Sequence, residues 1–188
     1  MTALPVSSTS EVLFDKQALE RKIDELARGV ASMIDDPAEA AIIGIRTRGA
    51  TLARRIGEIL LKERGWDLPL GLLDITLYRD DPSQLAAHPL VRKTEVEFDV
   101  ENKMIALIDD VLYTGRTIRC ALDEIIDFGR PRAIRLAVLI ERNGREYPIQ
   151  ADFAAASIEA APEQMVRVLL QEEDGRDEVV LTSEAAAP

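Results

Sequence analysis

The 188-residue chain has a single cysteine, Cys120, and a single histidine, His88. One thiol excludes an internal disulfide framework and fits a reducing compartment. Read on its own, Cys120 is a small core residue on a helix. One histidine excludes a histidine-rich metal centre. Basic residues are outnumbered, 23 against 34 acids, for a net charge of −11. Broad, sequence-blind nucleic-acid binding needs a basic face, so that class is disfavoured, while a local basic patch stays open. No apolar run approaches the ~18 residues that span a bilayer. The first residues have neither a basic start nor an apolar signal core. The expectation is a cytoplasmic protein with no membrane partner.

What is present suits one domain. The length and the 47% apolar share allow a single sizeable core. Residues 1–10 read as a disordered start, 11–183 as the domain and 184–188 as a loose tail. Leu19, Ile23, Leu26, Val30 and Met33 recur at helical spacing behind Asp15, a suitable N-cap. Residues 41–45 predict a buried strand, 52–64 an amphipathic helix closed by Gly65, and 70–77 another strand. A polar loop runs on to about Arg92, and 95–100 alternates as a half-exposed strand does. Ile118, Leu122, Ile125 and Ile126 then predict a helix that Gly129 and Pro131 end. Beyond it, 133–140 reads as a buried strand, 141–144 as a turn, and 150–154, 165–171 and 179–181 as short strands. This alternation predicts an α/β fold, a doubly wound parallel sheet, with a small lid formed after residue 141.

The most informative stretch is Ile105-Ala106-Leu107-Ile108-Asp109-Asp110-Val111-Leu112-Tyr113-Thr114-Gly115-Arg116-Thr117. An apolar run of strand length delivers two carboxylates, and a small-residue loop then feeds a helix. In open parallel sheets ligands bind beyond the carboxyl ends of strands. A loop entering a helix presents free N–H groups that suit a phosphate. Acceptors for sugar hydroxyls thus stand beside donors for a phosphate, the chemistry of a ribose 5-phosphate. The bare acid pair alone would also fit a phosphoacceptor receiver domain, but the Thr-Gly-Arg-Thr loop argues against that. A second loop, Gly44-Ile45-Arg46-Thr47-Arg48-Gly49, imitates the glycine spacing of a P-loop. Ala50 replaces the lysine that a nucleotide triphosphatase needs. The loop offers instead Arg46 and Arg48, guanidiniums suited to bidentate phosphate contacts or, more plainly, surface charges beside a turn.

These residues resemble the 5-phosphoribosyl-1-pyrophosphate (PRPP) signature of the type I phosphoribosyltransferases. Asp74-Ile75-Thr76-Leu77-Tyr78-Arg79-Asp80-Asp81 and the 136–152 segment narrow the likeness to pyrimidine-operon regulators that are also uracil phosphoribosyltransferases. The resemblance implies conversion of uracil and PRPP to UMP and pyrophosphate with Mg²⁺. It implies that 105–117 binds PRPP and UMP, with Asp109 and Asp110, together with Arg79, in catalytic positions. Arg46, Thr47, Arg48 and Arg79 would hold pyrophosphate, in a loop with a non-proline cis peptide expected at Thr47–Arg48. Residues 79–92 would form a flexible flap, where Asp80 and Asp81 could meet metal or substrate. A hood over about 142–172 would hold the base through Arg142, Phe153 and Ala154, although Phe153 is equally readable as a plain core aromatic. A homodimer or larger homo-oligomer is also implied.

The resemblance further implies UMP-tuned binding to a messenger-RNA leader, and here the chain departs from the pattern. Asp24, Glu25 and Arg28 stand where threonine, arginine and histidine are usual, Gly144 replaces a histidine, and a lysine is lost within Ala155-Ala156-Ser157. Each change weakens phosphate contacts rather than base reading. Arg132, Arg135, Arg142 and Arg145 remain as candidate RNA contacts. Three readings stay open: a salvage enzyme, an RNA-binding regulator that senses nucleotides, and an orotate or purine phosphoribosyltransferase.

Overall fold

The computed structural model describes residues 9–75 and 94–183. Its centre is a five-stranded parallel sheet in the order β3-β2-β4-β5-β6, built from β2 (Ala40–Ile45), β3 (Leu70–Leu73), β4 (Met104–Leu112), β5 (Ala133–Arg142) and β6 (Phe153–Ile158). Helices cover both faces. On one side α1 (Lys16–Met33) and α2 (Arg48–Arg64) bury Leu19, Leu26, Leu52 and Ile56 against Ile42, Ala106 and Ile108. On the other, α3 (Arg116–Asp127) packs Ile118, Ala121 and Ile125 against Ile105, Leu107 and Val138. Alternate residues of β4 thus serve opposite faces, which is why its sequence is a continuous apolar run. Each such fully buried Leu or Ile contributes about 1.5–3 kcal/mol. The expected doubly wound α/β sheet is present.

Local signals placed several element ends. The Asp15 carboxylate accepts from Ala18 N–H at 2.8 Å and caps α1. Gly65 closes α2 at φ 69°, as a left-handed cap requires. The α2 helix begins at Arg48, four residues before its apolar pattern. Its first turn faces the sheet through small residues, which carry no periodicity.

Several expectations change. Residues 95–100 do not form a strand. Leu72 and Glu95 exchange one pair of 2.8 Å hydrogen bonds, and the chain then turns as Asp99 accepts from Glu101 N–H. The strand expected at 150–154 lies at Phe153–Ile158. Asp152 occupies the preceding corner, its carboxylate accepting from Leu136 N–H at 2.9 Å and from Arg135 at 2.8 Å. That strand joins the central sheet beside β5 and is not part of a lid.

Among the described residues a second, antiparallel sheet, β1-β8-β7, is drawn from both ends of the chain: β1 (Thr9–Phe14), β7 (Gln164–Leu169) and β8 (Glu178–Ser183), with a four-residue helix α4 (Gln171–Asp174) between the last two. Residues 9 and 10, expected within the disordered start, pair with β8. β7 lies against the carboxyl end of β4. The expected flap, including Arg79, Asp80 and Asp81, lies outside the described residues.

Candidate functional site

Between β2 and β4 the chain leaves the sheet towards opposite faces, to α2 and to α3. Such a switch point opens a crevice at the carboxyl ends of the strands. Two helix N-termini, each without a side-chain cap, point into it. Their first-turn N–H groups and partial positive charge favour anions.

The second of these termini belongs to the 105–117 stretch. Gly115 adopts φ 91°, which turns the chain into α3. Residues 146–147 hold the loop, since Glu146 and Tyr147 N–H both donate to the Thr114 carbonyl at 3.0 Å. The Arg116 guanidinium donates to Glu146 at 2.9 and 2.7 Å.

Asp109 and Asp110 end the buried part of β4. Asp109 is only 5% exposed, and its Oδ1 accepts from Asp110 N–H at 3.0 Å. Asp110 is half-buried and accepts from Val111 N–H at 2.9 Å. Burial raises the Asp110 carboxyl above its usual range, and the nearby positive charge of Arg48 offsets this only in part.

The first loop brings Arg46, Thr47 and Arg48 to the same crevice. The non-proline cis peptide is Arg46–Thr47, one bond earlier than expected. Thr47–Arg48 is already the helix entry, with the Thr47 carbonyl accepting from Thr51 N–H, and so it is trans. Arg46 pairs with Glu95 at 2.9 Å, while its buried Nε has no hydrogen-bond partner among the described residues. Arg48 donates to both oxygens of Asp174, at 3.2 Å from Nε and 2.8 Å from Nη2. Burial alone would lower the Arg48 guanidinium, but the Asp174 bonds, with Asp110 and Glu173 behind them, hold it above its ordinary range.

Beside the acid pair lies a cavity of about 450 Å³. Residues 111–118 form one wall, and Arg142, Met165 and Val166 face them from β5 and β7. Cys120, Glu146 and the loop complete it. Its size is that of small-ligand sites. Asp109 and Asp110 do not line it and stand immediately upstream. Met165 is 54% exposed, a large apolar side chain left at the mouth.

The base-binding expectations fare differently. Arg142 lines the cavity but is 5% exposed, stacked with its guanidinium carbon 4.0 Å from the centre of the Tyr113 ring. Its Nη2 donates to the Ala161 carbonyl at 2.9 Å. Phe153 and Ala154 are not brought there. The Phe153 ring rests on Gly29 of α1, where no Cβ would fit, and Ala154 packs into the α3-side core. Both sit near the start of β6, at the level of Ala137 and Val138 rather than at the strand's carboxyl end. Met165, Val166 and Glu146 were missed, since nothing local marks them as neighbours of Thr114.

Of the arginines considered for RNA, Arg135 is paired with Asp152, Arg142 is buried, and Arg145 donates to Glu141 and to the Tyr113 carbonyl. Asp24 lines an α1–α2 groove whose acids include Glu20, Glu58, Glu172 and Asp177.

Comparison with known proteins agrees with this geometry. The family described as "Phosphoribosyl transferase domain" matches residues 9–173. The bifunctional protein PyrR of Deinococcus radiodurans is 43% identical over 176 residues, 94% of this chain and 96% of that protein. The bifunctional protein PyrR of Pelotomaculum thermopropionicum is 44% identical over 92% of this chain and 96% of its own length. Among solved structures, the hypoxanthine phosphoribosyltransferase of Trypanosoma cruzi shares the fold at a TM-score of 0.65 and 16% identity, over 93% of this chain and 97% of that one.

Proposed function

Because this chain belongs to the phosphoribosyl transferase family, and within it to the bifunctional PyrR proteins, we propose that it transfers phosphoribose from PRPP to uracil, giving UMP and pyrophosphate. The observation that carries this reading is the crevice itself. Two helix N-termini whose N-cap side chains make no capping bond flank a paired carboxylate beside a cavity of small-ligand size.

In this reading the amides of 114–117, with the Thr114 and Thr117 hydroxyls, hold the 5-phosphate. Asp109 and Asp110 accept from the ribose 2- and 3-hydroxyls, and their charge favours a sugar that turns cationic as its bond to pyrophosphate lengthens. Arg46, Thr47 and Arg48 steady the leaving pyrophosphate, and Arg79 is assigned there by resemblance alone. A nitrogen of uracil takes C1, and no protein nucleophile is needed. Positioning and charge do the work. Tyr113, Met165 and Val166 replace Phe153 and Ala154 as the apolar surface for the base, with Arg142 in the cavity wall.

Mg²⁺ fits this site as a substrate-borne ion. Among the described residues no group of three or more His, Cys, Asp or Glu could cage a metal. Two adjacent carboxylates suit a hard cation that keeps phosphate and water ligands, and they are the residues that would hold it. When bound, it would neutralise pyrophosphate charge.

The name of the relatives, bifunctional, favours a second reading in which the protein also binds a pyrimidine-operon messenger-RNA leader under UMP control. The internal partners of Arg135, Arg142 and Arg145 weigh against a strong form of it. Among the described residues no helix is long and apolar enough to cross a membrane. The test is product analysis with PRPP, Mg²⁺ and an equimolar mixture of uracil, orotate and hypoxanthine. UMP should dominate, and preferential formation of orotidylate or inosinate would overturn the assignment.

A further inference from the structure

The antiparallel sheet and the first phosphate loop are joined by a line of contacts that the transfer reaction does not by itself require. Arg48, Thr51 and Arg55 lie on one face of α2 at helical spacing. They meet, in turn, Asp174, Glu173, and Glu172 with Asp177. All four acids follow β7, the strand that carries Met165 and Val166 into the cavity.

Two guanidiniums in this line are gripped side-on, Arg55 by Glu172 and Arg48 by Asp174, and only Arg48 stands at the helix start beside the crevice. Asp174 takes the guanidinium side-on through Nε and Nη2, which fixes the plane of the group. Its Oδ2 is held in turn by Leu170 N–H at 3.0 Å. The Nη1 edge has no part in that pair, and Asp110 lies within electrostatic reach of the same guanidinium. A planar group clamped on one edge presents the other in a fixed direction.

We propose that Asp174 is a positioning residue that aims Arg48 at the pyrophosphate of PRPP and ties that aim to the strand lining the base cavity. Asp174 touches no substrate itself. The inference rests on the phosphoribosyltransferase reading and adds to it a residue distant in sequence. Glu172 and Asp177 make a second pair with Arg55, which is further along α2 and away from the crevice. That pair fastens the same two elements without orienting Arg48, so it serves as an internal control.

The test uses the full chain in four forms: wild type, Asp174→Asn, Asp177→Asn and the conservative rescue Asp174→Glu. Titration with PRPP, with pyrophosphate and with UMP is read beside steady-state kinetics. Asp174→Asn should weaken PRPP and pyrophosphate about tenfold while leaving UMP, which lacks pyrophosphate, within twofold. Asp174→Glu should recover part of the loss, and Asp177→Asn should keep wild-type affinity for all three ligands. Equal weakening of UMP and PRPP, or matching losses in the two Asn variants, would reduce Asp174 to a fastening of the antiparallel sheet and overturn the proposal. Unchanged pyrophosphate binding in Asp174→Asn would overturn it too. If wild type binds neither PRPP nor pyrophosphate, the parent reading fails, a result separate from any difference among the variants. Should Asp174→Asn fail to fold, Asp174→Glu provides the readout. It keeps the charge and displaces the fork, so a smaller loss confined to PRPP and pyrophosphate is expected, and unchanged or uniformly weakened binding of all three ligands would overturn the proposal.

Discussion

Gly49, in the first turn of α2, lies against Asp109. A Cβ added there would stand 3.1 Å from Asp109 Oδ1 and 2.7 Å from the Ile108 carbonyl oxygen. The α2 N-terminus can approach the acid pair only because residue 49 has no side chain.

Gly49→Ala should therefore push α2 away from β4. The expected cost is about 1–3 kcal/mol of stability, as for overpacking in a core. PRPP affinity should fall as well, since Arg48 and the Arg46–Thr47 loop move with the helix. Thermal unfolding read beside PRPP titration checks this, and a fully stable, fully active Ala variant would refute the close approach.

Asp109→Asn combined with Asp110→Asn should abolish transfer while the protein stays folded. Each amide keeps shape and loses charge, and removing preorganised partners of a developing charge typically costs about 10²-fold or more. Circular dichroism and UMP formation are the paired measurements. Near wild-type turnover in the double variant would remove the acids from the reaction.

Phe153→Ala separates the packing role seen here from the stacking role expected from sequence. The ring covers Gly29, so truncation should cost roughly 2 kcal/mol, below a fully buried phenylalanine. The KM for uracil should stay within twofold. A large rise in that KM at unchanged stability would return Phe153 to the base site.

Glu124 carries a pH prediction. It is 6% exposed, its Oε1 accepts from the Thr94 hydroxyl at 2.5 Å, and its Oε2 has no hydrogen-bond partner among the described residues. Burial, with the charges of Asp74 and Asp127, raises this carboxyl above 4.5 despite the Thr94 bond. A raised carboxyl stabilises the fold below its unfolded value, and that contribution is lost as pH rises through the folded one. Glu124→Gln should thus melt higher than wild type at pH 7–8, with the gap closing towards pH 4. The acids facing Arg48 and Arg55 run the other way. Glu172, Asp174 and Asp177 are lowered, so their contribution is present at neutral pH and disappears only as pH falls through those depressed values. A wild-type melting temperature that rises steadily from pH 5 to 8, unaffected by Glu124→Gln, would contradict the assignment.

Much of the candidate site was legible because it is local. Residues 105–117 hold a strand, two acids, a turn and a helix start in one uninterrupted run, and each follows from apolar pattern, residue size or backbone freedom over a few positions. The same holds for Asp15 capping α1 and Gly65 closing α2. Helix alternation with buried strands likewise determined the doubly wound sheet, because burial on both faces leaves a continuous apolar signature. Tertiary structure alone decided the rest. β1 exists through its pairing with β8, Met165 and Tyr113 line one cavity, and Asp174 meets Arg48 from 126 positions away. It also sent Phe153 into the core and stacked Arg142 on Tyr113. Such contacts depend on how elements meet in space, and the residues next to them in sequence carry no trace of that meeting.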